Sequence, residues 1–349
     1  MSAPGLTIRR ATAADDPAWD ALALGAAEGT VFHRPHWLRA ACSRFGHMDR
    51  TLVAVDARDD LVGVLPLVEC RGLGSGRAWI SVPYAVYGGA VAAREGAVED
   101  LHGAAARLAQ EERIGRLELR CRRDPGLDWQ ASELHEGFSR VLPEDAAEVL
   151  RSMPKKARAD ARRARRDLGL ELEEGLWYLP DLVRLFQRNK QALGTPALPY
   201  AWFEDLVHAD PDHTHLHVVR RGREVLAAVL SFSYQGELHA YYSGTAEGAD
   251  RSSKASSFLY CALQEWAIER GFTRFDFGRS RIGSGAHDFK RRQGFEPEPL
   301  GYRTLLVRDR TLPSLNPSNP RTAWAQRVWS GLPRDLAVPL GGYLSRFLP

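Results

Sequence analysis

The chain has 349 residues, 44% of them hydrophobic and 26% charged. That apolar content excludes wholesale disorder, and the length suits two domains. Lys and Arg number 47 against 44 Asp and Glu, a net charge of +3, which excludes a global polycation and leaves no expectation of a stable DNA partner.

In chain order the pattern alternates helices and strands. Thr7 to Arg10 reads as a strand and Asp15 to Ala27 as a helix. Pro35 to Phe45 is a second helix opened by its proline. Leu52 to Val55 and Leu61 to Val68 flank a polar turn, a hairpin signal. Tyr84 to Val91 is expected to continue the sheet, followed by a helix over Ala97 to Glu112 and a strand at Arg116 to Arg120. The uncharged stretch Ile80–Ala93 contains Pro83, Gly88 and Gly89 and is too short to span a bilayer. The opening residues hold no apolar run, and Cys42, Cys70, Cys121 and Cys261 form no Cys-x-x-Cys pair. No secretory leader, disulfide framework or structural zinc is therefore expected, and a cytoplasmic location is.

The same order then returns. Leu216 to Val219, a polar turn and Val225 to Ser231 repeat the first hairpin. Tyr242-Ser243-Gly244 repeats Tyr87-Gly88-Gly89, and Arg274-Phe275-Asp276-Phe277 repeats Arg116-Leu117-Glu118-Leu119. Ordered matches at near-constant spacing imply two copies of one α/β unit, residues 5–140 and 142–310, with a Pro-rich tail and helix over 311–349.

Three groups of residues carry a family resemblance. The first is Asn189 with Leu193-Gly194-Thr195-Pro196. The second is Asp276-Phe277-Gly278-Arg279-Ser280, then Phe289-Lys290 and Gly294-Phe295. The third is Leu315-Asn316-Pro317-Ser318-Asn319-Pro320 with Trp329 and Leu332-Pro333. Together with the doubled unit, they resemble tandem GNAT-like acyltransferases of the Fem type, in particular the FemAB-like proteins of exosortase (PEP-CTERM) and exopolysaccharide systems. The resemblance implies two tandem GNAT-like domains with mixed sheets and flanking helices. The first would serve the acceptor side and the second catalysis. It also implies transfer of an activated acyl or aminoacyl group to an amine of a cell-envelope precursor.

Such a transfer needs the amine deprotonated, the carbonyl polarised and the leaving group stabilised. Asp276 lies mid-strand and either orients or deprotonates an amine, or pairs structurally with Arg274 or Arg279. Arg279 and Ser280 end that strand, where ligands of α/β sheets collect. Lys290, favoured by the resemblance, is a candidate for the developing oxyanion or a donor phosphate; its bland alternative is one solvated charge of Lys290-Arg291-Arg292. Tyr242 is either a proton donor to the leaving group or a core residue. Lys254 adds charge at a helix start, and Asn189 is a candidate substrate contact. Tyr87 either lines an acceptor cleft or belongs to the core. The glycine spacing of a coenzyme A pyrophosphate loop is absent after Gly244, which speaks against coenzyme A and sets aminoacyl-tRNA or another activated acyl group beside acyl-CoA as candidate donors.

Between the copies, Arg151 to Arg166 holds 8 basic residues in 16, with Asp160 the one acid. A helix over 154–167 would place Arg158, Arg162, Arg165 and Arg166 on one face, a site for a phosphate-bearing ligand or tRNA, or else a solvated face. His213, His215 and His217 alternate on a strand without a nearby acid or cysteine, so no metal is expected. Trp324, Val328 and Trp329 with Arg321, Arg327 and Arg334 suit a packed terminal helix or a peripheral membrane contact. Two function classes stand: an envelope-directed acyltransferase, and a non-catalytic binder of a phosphate-bearing ligand that keeps the fold.

Overall fold

The computed structural model describes residues 5–72, 76–312 and 320–349. The chain divides into two compact units. The first comprises Met1–Glu133, Pro299–Asn316 and Leu344–Pro349; the second comprises Leu134–Glu298 and Pro317–Tyr343. Both combine mixed sheets with flanking helices, the α/β class expected.

These limits correct the linear boundaries at 140 and 310. The strand His135–Val141 lies antiparallel to Arg274–Arg281, inside the second unit. The strand Gly301–Leu306 lies antiparallel to Arg116–Cys121, inside the first. Each completes a sheet edge that would otherwise expose its hydrogen-bonding groups. Local alternation cannot reveal which edge a strand joins, so the exchange was invisible in the sequence.

In the second unit, among the described residues, the sheet order is Glu171–Glu174, Thr214–Arg221, Glu224–Tyr234, Glu237–Thr245, Arg274–Arg281, His135–Val141, Glu298–Pro299. Val229, Leu238, Phe275 and Phe277 point to one face and pack on Phe258, Leu259 and Leu263 of the helix Ala255–Glu269. The period-2 alternation of the strands thus feeds one core. The helix Leu179–Ala192 covers the opposite face through Leu182, Val183, Leu185 and Phe186, spaced as a helical stripe requires. Gly244 permits this approach, because a Cβ there would lie 2.5 Å from the Phe186 nitrogen. The basic helix runs Lys155–Arg166 and buries Ala157, Ala161 and Ala164, one face of small residues that leaves most of its cations outward.

The first unit departs from expectation at residues 81–90. Of Tyr84 to Val91 only Val91 is strand, paired with Val64; Val82 and Tyr84 take left-handed φ values of 57° and 59°, a conformation that ends regular pairing. The strand that runs parallel to Arg116–Cys121 is instead Arg77–Ile80. The resemblance of Tyr87-Gly88-Gly89 to Tyr242-Ser243-Gly244 is therefore one of letters, not of structural position.

The helices Pro320–Ser330 and Arg334–Leu344 end the second unit. The motif over 315–319 lies outside the described residues. Among the described residues no helix is long and apolar enough to cross a membrane.

Candidate active site

Two parallel strands of the second unit, Glu237–Thr245 and Arg274–Arg281, pair over three positions only: Glu237 with Arg274, Leu238 with Phe275, and His239 with Asp276. Beyond His239 and Asp276 they share no further register. A bulge at Tyr241 bends the first strand, where Leu230 faces Tyr242 but Ser231 faces Ala240. A second bulge bends the other: Asp276 and Arg279 face Ser139 and Gly137, so Phe277 and Gly278 oppose a single residue. Bulges turn strands and redirect side chains, often beside active sites.

The second bulge explains the Asp-Phe-Gly sequence physically. Gly278 has φ +66°, which a glycine adopts without a Cβ penalty. Its N–H donates to Asp276 Oδ1 at 2.6 Å, a turn closed by the side chain two residues earlier. The bend aims the carbonyls of Gly278 and Arg279 at Lys290, whose Nζ donates to both at 3.1 Å. Lys290 sits on the helix Gly285–Arg292, 7% exposed, with Phe277 and Phe138 ring centres 5.1 and 5.3 Å from the amine. It is not a solvated charge, while Arg291 and Arg292 are exposed. Burial pushes its pKa down to about 7, opposed by Asp276 and assisted by Arg279. Two hydrogen-bonding positions of this amine are committed to carbonyls. The third has no acceptor among the described residues.

A second lysine joins the group. Lys190, on the helix over Leu179–Ala192, is held below its ordinary pKa by burial and then by Arg279. Both amines thus lie within electrostatic reach of one guanidinium. Three clustered cations, with Asp276 the one acid acting on Lys290, favour a negative partner. Lys190 carried no motif signal; its neighbour Asn189 did.

Two further histidine groupings escaped sequence reasoning. His239, 1% exposed, lies between Glu237 at 3.4 Å from Nε2 and Asp276 at 4.0 Å from Nδ1. The three side chains are the right types for a metal and lie close together. The imidazole, however, meets the carboxylates through opposite nitrogens, which describes an acid–imidazole–acid row, not a chelate. His287 sits one turn before Lys290, and its Nε2 lies 2.7 Å from Glu136 Oε2. Both partners come from segments far apart in sequence, so spacing could not announce them.

The other candidates fall elsewhere. The Tyr242 hydroxyl accepts from Trp202 Nε1 at 3.0 Å within an aromatic cluster with Phe186 and Phe203, a core position. Asn189 donates to the Thr245 carbonyl at 2.8 Å and accepts from its N–H at 2.7 Å, which latches helix to strand end and spends its amide. Ser280 is buried in the ladder opposite Glu136. Arg279, half-buried, does reach the cation cluster. Lys254 caps the helix Ala255–Glu269 in a left-handed conformation. Arg158 is partly buried on the basic helix and Arg162 exposed on it. Tyr87 is interior to the first unit, with the Arg122 guanidinium 5.0 Å over its ring.

The helix end that would receive a coenzyme A pyrophosphate is occupied by the protein's own acid. Asp250 accepts from the Ser256 N–H at 2.8 Å and the Ser256 hydroxyl at 2.9 Å. The adjoining pocket of about 330 Å³ includes Glu247, Asp250 and Arg251, two acids to one base. Free helix N–H groups attract anions; a carboxylate already capping them repels a pyrophosphate, which does not fit there.

Residues 151–291 match the acetyltransferase (GNAT) domain family. Among solved structures, FemX aligns with a TM-score of 0.65 at 12% identity, covering 86% of this chain and 98% of that one. A tandem GNAT protein from the clavulanic acid biosynthesis pathway aligns at 0.53 and 14% identity, covering 88% and 99%. The C-terminal domain of a putative lysylphosphatidylglycerol synthetase from Agrobacterium fabrum aligns at 0.54 and 16%, covering 90% and 95%. Among curated proteins none matches. The chain shares its mixed α/β fold with these structures, and residues 151–291 of the second unit form an acyltransferase domain of the GNAT type.

Proposed function

We propose that the second unit transfers an activated acyl or aminoacyl group to an amine of a cell-envelope or exopolysaccharide precursor, with the reacting carbonyl beside Lys290. One observation supports this above others: a buried amine, pinned by two main-chain carbonyls, with its third position uncommitted. In the ammonium form that position donates to the oxygen of the tetrahedral intermediate, where a fixed donor acts more strongly than on the neutral ground state. Arg279 and Lys190 add positive potential for the same charge. Asp276 holds the bulge that aims the carbonyls, and so positions Lys290. His287, oriented by Glu136, takes the proton of the attacking amine. The bond formed joins the acceptor nitrogen to the acyl carbon; the bond broken joins that carbon to the donor's ester or thioester atom.

A second reading of Lys290 follows from its pKa of about 7. As a neutral amine it still donates to two carbonyls, and its lone pair faces the substrate as a base. The pH profile of kcat separates the two. A limb falling above about 7 assigns the ammonium, and a limb rising through 7 assigns the base. The reaction itself is tested by mass spectrometry of an amine acceptor offered with acetyl-CoA and with aminoacyl-tRNA. An acylated product formed by the wild type and lost in Lys290→Ala is expected; product formed equally by both removes Lys290 from the chemistry.

The work place we propose is the cytoplasmic membrane face, with the first unit on the acceptor side. Trp324, Leu336, Leu340 and Tyr343 of the last two helices are 66%, 53%, 45% and 56% exposed, close in sequence to Arg327 and Arg334. Aromatic and aliphatic groups with basic neighbours suit an anionic lipid surface. Co-sedimentation with phosphatidylglycerol vesicles, reduced in Trp324→Ser/Leu340→Ser, is the expected result; equal sedimentation of both proteins refutes the contact.

A further inference from the structure

A pocket of about 500 Å³ lies past the end of the strand Glu237–Thr245, between the helix over Leu179–Ala192 and the turn joining Thr214–Arg221 to Glu224–Tyr234. Arg184, Arg188, Arg220 and Arg223 line it, over Val225 and Ala246. Its charges divide into spent and unspent. Arg184 pairs with Asp181 at 2.6 Å, and Arg220 is held by Glu173 and the Tyr178 hydroxyl. Glu224 pairs with Arg221 at 3.2 Å. Arg188 and Arg223 enter no ion pair among the described residues. The pocket thus carries two surplus guanidinium groups facing one concavity, the charge of a phosphate dianion. Guanidinium forks suit phosphate oxygens in a way that single ammonium groups do not.

Beside it stands an aromatic surface. Trp177 is 70% exposed, and its ring centre lies 5.7 Å from that of Tyr178, which lines the pocket. The indole is held against the backbone of Gly175, 2.4 Å from where a Cβ would stand. A large exposed indole next to surplus arginines is the pairing by which proteins take a nucleotide: base on the ring, phosphate on the cations.

We propose that this pocket is a nucleotide subsite, with Arg188 and Arg223 on the phosphate and Trp177 under the base. It rests on the acyl-transfer reading in one respect, that the nucleotide is the activating portion of the donor. Helix and strand connect it to the chemistry. Arg188 lies two residues before Lys190, and Ala246 follows the strand bounding the cation cluster. The subsite also resolves a conflict in the donor end, where Asp250 and Glu247 repel a diphosphate from the helix terminus. The phosphate is received on the other side of Ala246.

Binding without turnover tests it. The full chain is titrated by calorimetry with ADP, with coenzyme A and with a five-nucleotide single-stranded RNA ending in adenosine. Wild type, Arg188→Gln/Arg223→Gln, Trp177→Ala and Arg107→Gln are compared; Arg107 is an exposed cation of the first unit. Affinity is expected to fall at least about tenfold in the double variant and roughly fivefold or more in Trp177→Ala, with Arg107→Gln unchanged. Binding of ADP or coenzyme A assigns a small nucleotide as the source. Binding of the RNA alone assigns a nucleic-acid end, and its salt slope should shallow in the double variant. No binding of any probe to the wild type, or equal affinity in the double variant, overturns the subsite. Loss of the catalytic role of Lys290 would leave these titrations untouched, so the two ideas fail separately.

Discussion

The two units share one strand geometry and use it oppositely. In each, a parallel pair makes contact over three residues: Ala78 to Ile80 with Arg116 to Glu118, and Glu237 to His239 with Arg274 to Asp276. In the first unit the chain then turns aside, and residues 81–89 are buried without a break. Ser81 and Gly88 donate their N–H groups to the carbonyls of Glu118 and Arg120 at 2.9 and 2.7 Å. Main chain thus takes the hydrogen bonds of that strand edge. In the second unit both strands continue, bent by bulges, and lysines and an arginine gather where they part. Glu118, which stands where Asp276 does, bonds Arg120 at 2.7 Å and closes no bulge. A gap filled by backbone is structure; the same gap lined by clustered cations is a place for a charged reactant. On this difference rests our proposal that the chemistry belongs to the second unit, where residues 151–291 match the acetyltransferase domain.

The largest test of that contrast is kinetic. Lys290→Ala should lower kcat by about 10²–10³, the usual cost of one oxyanion donor. Glu118→Gln should change kcat by no more than about twofold, because it keeps an acceptor for Arg120 in the unit that lacks the clustered cations. Lys290→Arg should restore only part, since a planar fork cannot reproduce a tetrahedral amine on two carbonyls. Equal losses in Lys290→Ala and Glu118→Gln would erase the distinction between the units.

The next test concerns the bulge itself. Asp276→Ala leaves the buried Gly278 N–H without its acceptor, which costs about 1–3 kcal/mol of stability. Asp276→Asn keeps an oxygen in place and removes only the charge. Urea unfolding should therefore show a clear drop for alanine and little for asparagine. If asparagine unfolds as readily as alanine, the carboxylate acts through charge and not through the turn.

How much of this was legible beforehand depended on the range of each signal. The basic helix, the hairpins and the Asp-Phe-Gly strand are local patterns and could be placed from periodicity. Lys290 was legible through its motif, though its partners were not. Its carbonyl acceptors exist only because Gly278 adopts a left-handed turn, which no period reveals. Lys190, Glu136–His287 and His239–Asp276 depend on contacts across the fold. Tyr242 and Asn189 misled for the converse reason: a polar group near a strand end can be spent on Trp202 or Thr245. Tyr84 to Val91 read as strand because it is apolar, and apolarity marks burial before it marks pairing.

A smaller effect is expected in the pH dependence of stability. An unfolded lysine keeps its proton to about 10.4, whereas folded Lys290 releases it near 7. Between those values the unfolded chain binds more protons, so stability rises with pH across the window. The contribution is on the order of a few kcal/mol. Lys290→Met should flatten this rise in melting temperature between pH 7 and 9; an unchanged slope would show that the amine stays charged inside.

The smallest effect belongs to the basic helix. Arg165 is bonded to Glu265 and lies 5.6 Å over Phe258, so its removal would disturb packing as well as charge. Arg158, Arg162 and Arg166 are the better probes, since the helix is anchored by alanines on its other face. If the helix guides an anionic donor to the second unit, replacing these three with alanine should weaken binding of a single-stranded RNA by a few-fold per contact. The slope of log affinity against log salt should fall by about 0.7 for each phosphate released. The melting temperature should hold, because exposed charges contribute little to stability. Arg107→Ala on the first unit supplies the matched loss of charge. Should it weaken binding as much as each helix substitution does, the attraction is the chain's general charge, and the basic helix is a solvated face with no share in the second unit's task.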